Sequence, residues 1–519
     1  MVDQQRGSTF VASAAKIALG TGLSRLLGLL RDMLIARYFI PETRDAFVVA
    51  FRIPNFFRRI FAEGAITVSF TPVFVQNLSD PGKARSLWSS VFTVVGSIAV
   101  LLSTIFIAFM PDILRTMLPG AAYVSVPGKL DVTVFLARIV ILTVISFAIF
   151  AYMTAVLASL RRFLLAAMAP CLLNIVAVLV AWFRPAWGPQ ETNLAWALVV
   201  GSVLQVLILL PALWKEGFLP RIRFTVDEDV WRVLQGVLPG ILGVGLMQLT
   251  MVANIYFASY LPQGSHTYLY LADRLLELPL ALFVISVGSA LLPEIAAHWG
   301  GGRKVEFDQA VNSAVRLIAS LALPAALGLF LMAQPICEVL FVGRQFSVFD
   351  ATQTASILRI CTLTLLSVSA VRVLSQGFYA VGTVWFPVLA AVISFIAHII
   401  FSFSFMRAFG LDGLAMATSA SSVVNLVLLF VAYQKWIGKI EFRRLGHTLV
   451  RCAPGFLFLF LWVVLYDNYF QFWSNPYFKR SMVLITTVAT GGAGYVVIAG
   501  LFGAPELKHL LERVKAKVS

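Results

Sequence analysis

Charge is scarce in this chain, and so are the signatures of soluble enzymes. Only 13% of its 519 residues are charged and 60% are hydrophobic, against roughly 45 to 50% apolar residues in a soluble protein. That leaves no room for a sizeable soluble domain. Its four cysteines, Cys171, Cys337, Cys361 and Cys452, are scattered without the paired spacing of a metal site or redox motif. They are read as packing residues. There is no zinc-protease H-E-x-x-H, no G-x-S-x-G nucleophile elbow and no Walker A loop, which argues against those hydrolases and against ATP-driven transport by this chain alone. Acids are outnumbered, 25 to 40, and the net charge is +15. No nucleic-acid partner is needed to explain that excess, because the basic residues fall in alternate loops, as the positive-inside rule requires of a membrane protein.

What the sequence does have is apolar runs. A membrane-spanning helix needs about 20 apolar residues, and about fourteen candidates lie near 10–37, 44–76, 88–110, 132–158, 164–183, 193–213, 232–260, 267–296, 308–333, 352–376, 385–406, 412–434, 447–466 and 481–503. The fold class is all-α and polytopic. The first run lacks a small-residue cleavage site and carries Arg25 and Arg31 in its second half, so it is read as a retained helix and not a signal peptide. One set of loops holds Lys83, Arg85, Arg161, Arg162, Lys215, Arg221, Arg223, Arg303, Lys304, Lys435, Lys439, Arg443 and Arg444. The tail, with Lys508, Arg513, Lys515 and Lys517, shares their side, which places both termini in the cytoplasm. The opposite loops are poorer in base and include Lys129.

An internal repeat divides these spans. Ala50-Phe51-Arg52-Ile53-Pro54 precedes Phe70-Thr71-Pro72 by about the spacing that separates Ala272-Asp273-Arg274 from Leu291-Leu292-Pro293, each pair in the second long span of its half. Six spans per half preserve orientation, so the repeats are expected to be parallel. The division is an N-lobe over 1–214, a cytoplasmic link over 215–231, a C-lobe over 232–436, and two further helices with a basic tail over 437–519. The link, with Arg221 and Arg223 near Asp227, Glu228 and Asp229, fits either a headgroup-surface segment or a solvated linker.

The charges that do occur sit where they are most costly. Arg25, Arg31, Asp45, Arg52, Arg58, Arg59 and Glu63 lie among membrane-length apolar runs. An arginine in hydrocarbon costs at least about 2.5 to 3.5 kcal/mol, which marks such residues as functional candidates. At 100° per residue Asp45, Arg52, Arg59 and Glu63 form one stripe, although Pro54 can shift its phase and leaves open whether Arg58 or Arg59 faces inward. Arg25 and Arg31 converge only if the first helix bends or the cavity is broad. In the other half Arg274 and Glu277 are i,i+3 neighbours, with Asp273 beside them. Arginine forks match phosphate oxygens. The group therefore reads as a phosphate or diphosphate site with Asp45, Glu63 and Glu277 orienting the arginines or competing with the ligand during opening. Internal salt bridges that merely lock helices together are the alternative, disfavoured by the excess of cations over nearby acids. Asn174, Asn254, His398 and Asn425 suit interhelical hydrogen bonds better than an ion site, and no metal-ligand set can be named.

These residues resemble a known family. Ser24-Arg25-Leu26-Leu27-Gly28-Leu29-Leu30-Arg31-Asp32, Asp45-Ala46-Phe47, Phe51-Arg52-Ile53-Pro54-Asn55 and above all Arg58-Arg59-Ile60-Phe61-Ala62-Glu63-Gly64-Ala65 look like the MurJ (MviN) lipid II flippases. The similarity continues through Pro170-Cys171-Leu172-Leu173-Asn174-Ile175 and Ala272-Asp273-Arg274-Leu275-Leu276-Glu277-Leu278-Pro279. It implies a fold of the multidrug/oligosaccharidyl-lipid/polysaccharide exporter superfamily, two six-helix lobes around a central cationic cavity plus two extra helices that offer a groove to the lipid tail. It also implies a bacterial inner-membrane transporter, not an enzyme, that carries lipid II from the cytoplasmic to the periplasmic leaflet by alternating access. Family cavity arginines correspond to Arg25, Arg31 and Arg274, the acidic partner to Asp45 and the paired arginines to Arg58 and Arg59, while Arg52 stands where some members have lysine. No cofactor is implied; membrane potential, sodium and protons are the candidate couplings. Expected partners are lipid II and membrane lipids, with cell-wall synthesis proteins conceivable but not indicated by the sequence. The rivals are a flippase for another polyprenyl-diphosphate oligosaccharide and an intramembrane enzyme acting on such a lipid.

Overall fold

In the computed structural model, residues 2–61, 66–184, 187–281, 285–472, 477–504 and 506–508 are described. Glu63, Arg513, Lys515 and Lys517 lie outside them. Every regular element among the described residues is helical, as expected where a backbone in hydrocarbon must satisfy its own hydrogen bonds. The first twelve helices are α1 (Val2–Tyr38), α2 (Pro41–Ile60), α3 (Ile66–Asn77), α4 (Pro81–Met117), α5 (Ala121–Val124), α6 (Lys129–Val140), α7 (Thr143–Ser159), α8 (Phe163–Met168), α9 (Pro170–Phe183), α10 (Gln190–Leu207), α11 (Leu210–Lys215) and α12 (Glu228–Ala258). There follow α13 (Ser265–Pro279), α14 (Ile285–Gly300), α15 (Lys304–Leu331), α16 (Ala333–Phe341), α17 (Val348–Val381), α18 (Trp385–Trp436), α19 (Phe442–Phe472) and α20 (Tyr477–Leu501).

Nine helical stretches among the described residues are long and apolar enough to cross a bilayer. One of them, α18, holds two of the expected spans: its 52 residues are divided by Gly410, whose φ of 56° breaks the helical path, a conformation that glycine adopts without steric cost. The expected span over 132–158 is likewise two helices, α6 and α7, which meet at Ile141 and Leu142. Helix α2 is not among the nine, because Glu42, Arg44, Asp45, Arg52, Arg58 and Arg59 interrupt its apolar sequence. It begins with Pro41 in the first turn and runs on through Pro54 to Ile60.

Contacts divide the chain into two compact units, Met1–Thr267 and Tyr268–Ser519. In the first, α1 packs on α8 and α9, α9 on α10, α2 on α6, and α12 on α3, α2 and α4. Small residues bring these helices close: a Cβ on Gly20 would lie 2.9 Å from the Ala167 backbone, and one on Gly201 2.8 Å from the Leu173 Cα. Close approach of this kind drives helix association in lipid, where apolar burial supplies little. Phe70, Phe74, Trp88 and Tyr152 form a buried aromatic core, with Phe70 5.1 Å from Phe74 and 5.4 Å from Tyr152. In the second unit α17 packs on α14, α15, α16 and α18 around Phe307, Val311, Ile318, Val373, Phe378 and Tyr433. The last two helices pair with each other; α15 packs on them and accepts the Tyr495 hydroxyl at the Ser320 carbonyl at 2.8 Å, while its Arg316 pairs with Glu506, beyond the end of α20, at 2.5 Å. The four cysteines are all buried and free.

Candidate functional site

Arg31 is the most enclosed of the candidate arginines. Its side chain is 2% exposed, and its Nε and Nη2 donate to Asp32 Oδ1 at 2.9 and 2.7 Å. Nη1 donates to Asn174 Oδ1 on α9 at 3.2 Å, and the guanidinium lies 4.6 Å from the centroid of the Phe51 ring on α2. The amide of Asn174 donates in turn to the Ser24 carbonyl at 3.0 Å. Ser24, Gly28 and Arg31 follow helical spacing, and Asn174 meets all three; a Cβ on Gly28 would sit 3.6 Å from its Oδ1. One asparagine thus aligns the helix that carries Arg25 and Arg31. Arg25 itself is half-buried. Asp32, present in the sequence but not expected to act, supplies the counter-charge.

Asp45 has a different partner from the one expected. Instead of orienting an arginine, its Oδ2 accepts Lys129 Nζ from α6 at 3.0 Å and the Gly264 N–H at 2.8 Å, and its Oδ1 accepts the Thr267 N–H at 3.1 Å and the Thr267 hydroxyl at 2.6 Å. Both members of the ion pair are 1% exposed. Lys129 also lies 4.2 Å from the Tyr123 ring centroid, and the Tyr123 hydroxyl is 2.7 Å from that of Thr133. His266 stacks edge-on against Tyr123 with centroids 5.2 Å apart. The cluster ties the turn between α12 and α13 to α2 and α6, and nothing in the spacing of Asp45 and Lys129 announces it.

The rest of the α2 stripe separates residue by residue. Arg52 is buried, as is Arg44, whose Nη1 donates to the Ala36 carbonyl at 3.3 Å. Arg58 Nε donates to Asn55 Oδ1 on its own helix at 3.1 Å, and Arg59 Nη1 donates to Gln248 Oε1 on α12 at 3.2 Å. Both are half-buried, and Glu63 lies outside the described residues.

In the second unit, the expected i,i+3 pair on α13 is formed: Arg274 Nη1 is 2.9 Å from Glu277 Oε2, with the side chains 24% and 27% exposed. Arg274 Nε and Nη2 donate to the Tyr270 hydroxyl at 3.0 and 2.9 Å. Tyr270 is four residues upstream on the same helix face, a neighbour that helical spacing made available to sequence reasoning. Asp273 is exposed. No group of three or more His, Cys, Asp and Glu side chains among the described residues is arranged to hold a metal ion. What these groups offer is planar, partly engaged guanidinium donors in apolar helices, suited to an anion with several oxygens.

A family model described as lipid II flippase MurJ matches residues 14–488. The chain is 38% identical over 429 residues to a probable lipid II flippase MurJ of Bdellovibrio bacteriovorus, covering 82% of each chain. With the lipid II flippase MurJ of Burkholderia cenocepacia it shares 31% identity over 453 residues, 86% of this chain and 85% of that one. Among solved structures, a lipid II flippase MurJ in an inward closed conformation superposes with a TM-score of 0.77 at 22% identity, over 94% of this chain and 98% of that chain. An inward-facing multidrug resistance MATE family transporter of the MOP superfamily gives 0.67 at 16% identity, over 80% of this chain and 97% of its own.

Proposed function

This chain belongs to the MurJ family of lipid II flippases, and from that premise we propose that it moves lipid II, the undecaprenyl-diphosphate-linked peptidoglycan precursor, from the cytoplasmic to the periplasmic leaflet by alternating access. The family is one of transporters, and the cargo leaves chemically unchanged. A flippase of this kind has to shelter only the head group, because the polyprenyl tail is at home in hydrocarbon. The single observation that carries the proposal is the set of arginines retained in apolar helices, with Arg31 held rigidly on α1 while Arg274 stays partly open on α13.

The proposed diphosphate donors are Arg25, Arg31, Arg52, Arg58 and Arg59 in the first unit and Arg274 in the second. Asp45, Glu63, Asp273 and Glu277 are proposed as charge partners whose rearrangement weakens cargo binding in the outward-facing state. The proposed architecture is fourteen spans in two parallel six-helix lobes, 1–214 and 232–436, with helices thirteen and fourteen appended and both termini in the cytoplasm. Its position in an inner membrane, crossing many times, follows from the family and from the apolar helices.

Depletion of the protein in its host, read with a leaflet-specific probe for lipid II, tests the proposal. Intact lipid II should accumulate on the cytoplasmic side and be exposed again on complementation by the wild type but not by Arg31→Ala. Normal exposure of lipid II alongside a different trapped polyprenyl-linked glycan would refute the cargo. A change in the lipid's mass would point to an enzyme.

A further inference from the structure

Residues 218–227, between α11 and α12, are in neither helix nor turn, and their backbone is fastened to the side of α4. Trp88 Nε1 donates to the Phe218 carbonyl at 2.9 Å, the Arg221 N–H to Ser89 Oγ at 3.4 Å and the Arg223 N–H to Thr93 Oγ1 at 2.8 Å. The Ser90 and Thr225 hydroxyls are 3.2 Å apart. Thr93 lies five residues beyond Trp88, about 7 Å further along the helix axis, and α4 is one of the helices able to cross a bilayer. The link therefore climbs a membrane helix and returns to Asp227, which caps α12 by accepting the Val230 N–H at 2.9 Å. Hydroxyl acceptors for backbone N–H groups are what a non-helical segment needs at the edge of the hydrocarbon, where water is sparse.

Its side chains point the same way. Ile222 is 78% exposed and Phe224 77%, and Arg221 and Arg223 alternate with them. A linker that meets only water gains nothing from large apolar side chains so exposed, whereas a segment in the headgroup layer does. Lys215 and Arg85 add charge nearby; Arg85 Nη2 would lie 2.9 Å from a Cβ on Gly217. Among the described residues none of Arg85, Lys215, Arg221 and Arg223 has a carboxylate within ion-pair distance, and Glu216 is already taken by Arg162 at 2.8 Å. Arg223 Nε donates only to Thr225 Oγ1, at 2.5 Å.

We propose that residues 221–224, with Arg85 and Lys215, form an interfacial strap that binds an anionic phospholipid: Ile222 and Phe224 enter the boundary between headgroups and acyl chains while the cations hold the phosphate. The proposal places the link at the membrane surface and not in bulk water. It does not rest on the identity of the cargo.

The test uses the full chain carrying Phe224→Cys, labelled with an environment-sensitive fluorophore, since the four native cysteines are buried; Ile222→Cys serves as a second labelling position. Reconstitution is into phosphatidylcholine vesicles with or without about one-third phosphatidylglycerol, a composition that sets the anionic surface potential. Brominated acyl chains should quench the label and aqueous iodide should not. Purified Arg221→Gln/Arg223→Gln protein should retain phosphatidylglycerol about thirtyfold less well than wild type, the scale expected for losing two surface cations. Arg443→Gln/Arg444→Gln, the same charge change elsewhere, should retain it normally. Excess inorganic phosphate should leave retention unchanged. Free access of iodide at both labelled positions, wild-type lipid retention by the Arg221/Arg223 variant, or displacement of lipid by phosphate alone would each overturn the proposal.

Discussion

Arg31 and Arg274 carry the same guanidinium on helices of different units, yet they are held in different ways. Arg31 is 2% exposed and spends three donors on Asp32 and Asn174, with Phe51 against its face. Arg274 is 24% exposed, and Tyr270 and Glu277 on its own helix are among its partners. A guanidinium packed between three helices is pre-organised, and its removal disturbs all of them. One that is partly exposed is more accessible to an incoming anion, and its ion pair with Glu277 is less costly to disturb than a fully buried one. Burial alone therefore does not rank these residues by function: the more enclosed arginine aligns helices as well as offering charge, and the more open one is more accessible to an anion.

Substitutions can break this contrast, and the largest effect should come from leaving a buried charge alone. Asp32→Ala deprives Arg31 of its carboxylate and should destabilise the protein by about 3 to 5 kcal/mol, measured by denaturation in a bilayer mimic, while Arg31→Met/Asp32→Leu recovers most of that stability without transport. Wild-type stability in Asp32→Ala would mean that Asp32 is not the counter-charge. Lys129→Met should cost a similar amount by stranding Asp45, and the double variant with Asp45→Asn should cost less than the sum of the two single changes. Additive losses in that cycle would contradict a direct pair. Gln248→Ala removes one acceptor of Arg59 and should cost about 1.5 to 3 kcal/mol, the range for a hydrogen bond to a charged group. Smallest is Glu277→Gln, about 0.2 to 1 kcal/mol in stability for a partly exposed i,i+3 pair, with an effect on transport that exceeds the effect on folding. A large fall in stability there would place Arg274 in the same class as Arg31.

Much of the helical content could be read from apolar length alone, because in lipid a long apolar run has few alternatives to a helix. The limits appear where local sequence does not contain the cause. Hydropathy separates the spans 385–406 and 412–434, and the chain does break between them at Gly410; it does not separate α6 from α7, which meet inside one apolar run. Arg274–Glu277 was legible because both partners lie on one helix face. Asp45–Lys129 was not, because 84 residues separate the pair and Lys129 reads as an ordinary loop base. Asp32 was hidden differently: it adjoins Arg31 in sequence, and helical geometry gives adjacent residues no shared face, so only the folded side chains show that they meet. The arginines themselves stood out because their cost in an apolar setting is independent of their partners.

The central claim is transport of the lipid II head group by these arginines. Its most direct test is a vesicle assay with purified full-length protein and fluorescent lipid II, in which a membrane-impermeant reductant bleaches the outer leaflet. Wild type should render the inner-leaflet pool accessible, Arg274→Ala should lose that activity with its stability largely intact, and the recovered lipid should have unchanged mass. Equal bleaching with wild type and protein-free vesicles, or full activity in Arg274→Ala, would contradict it.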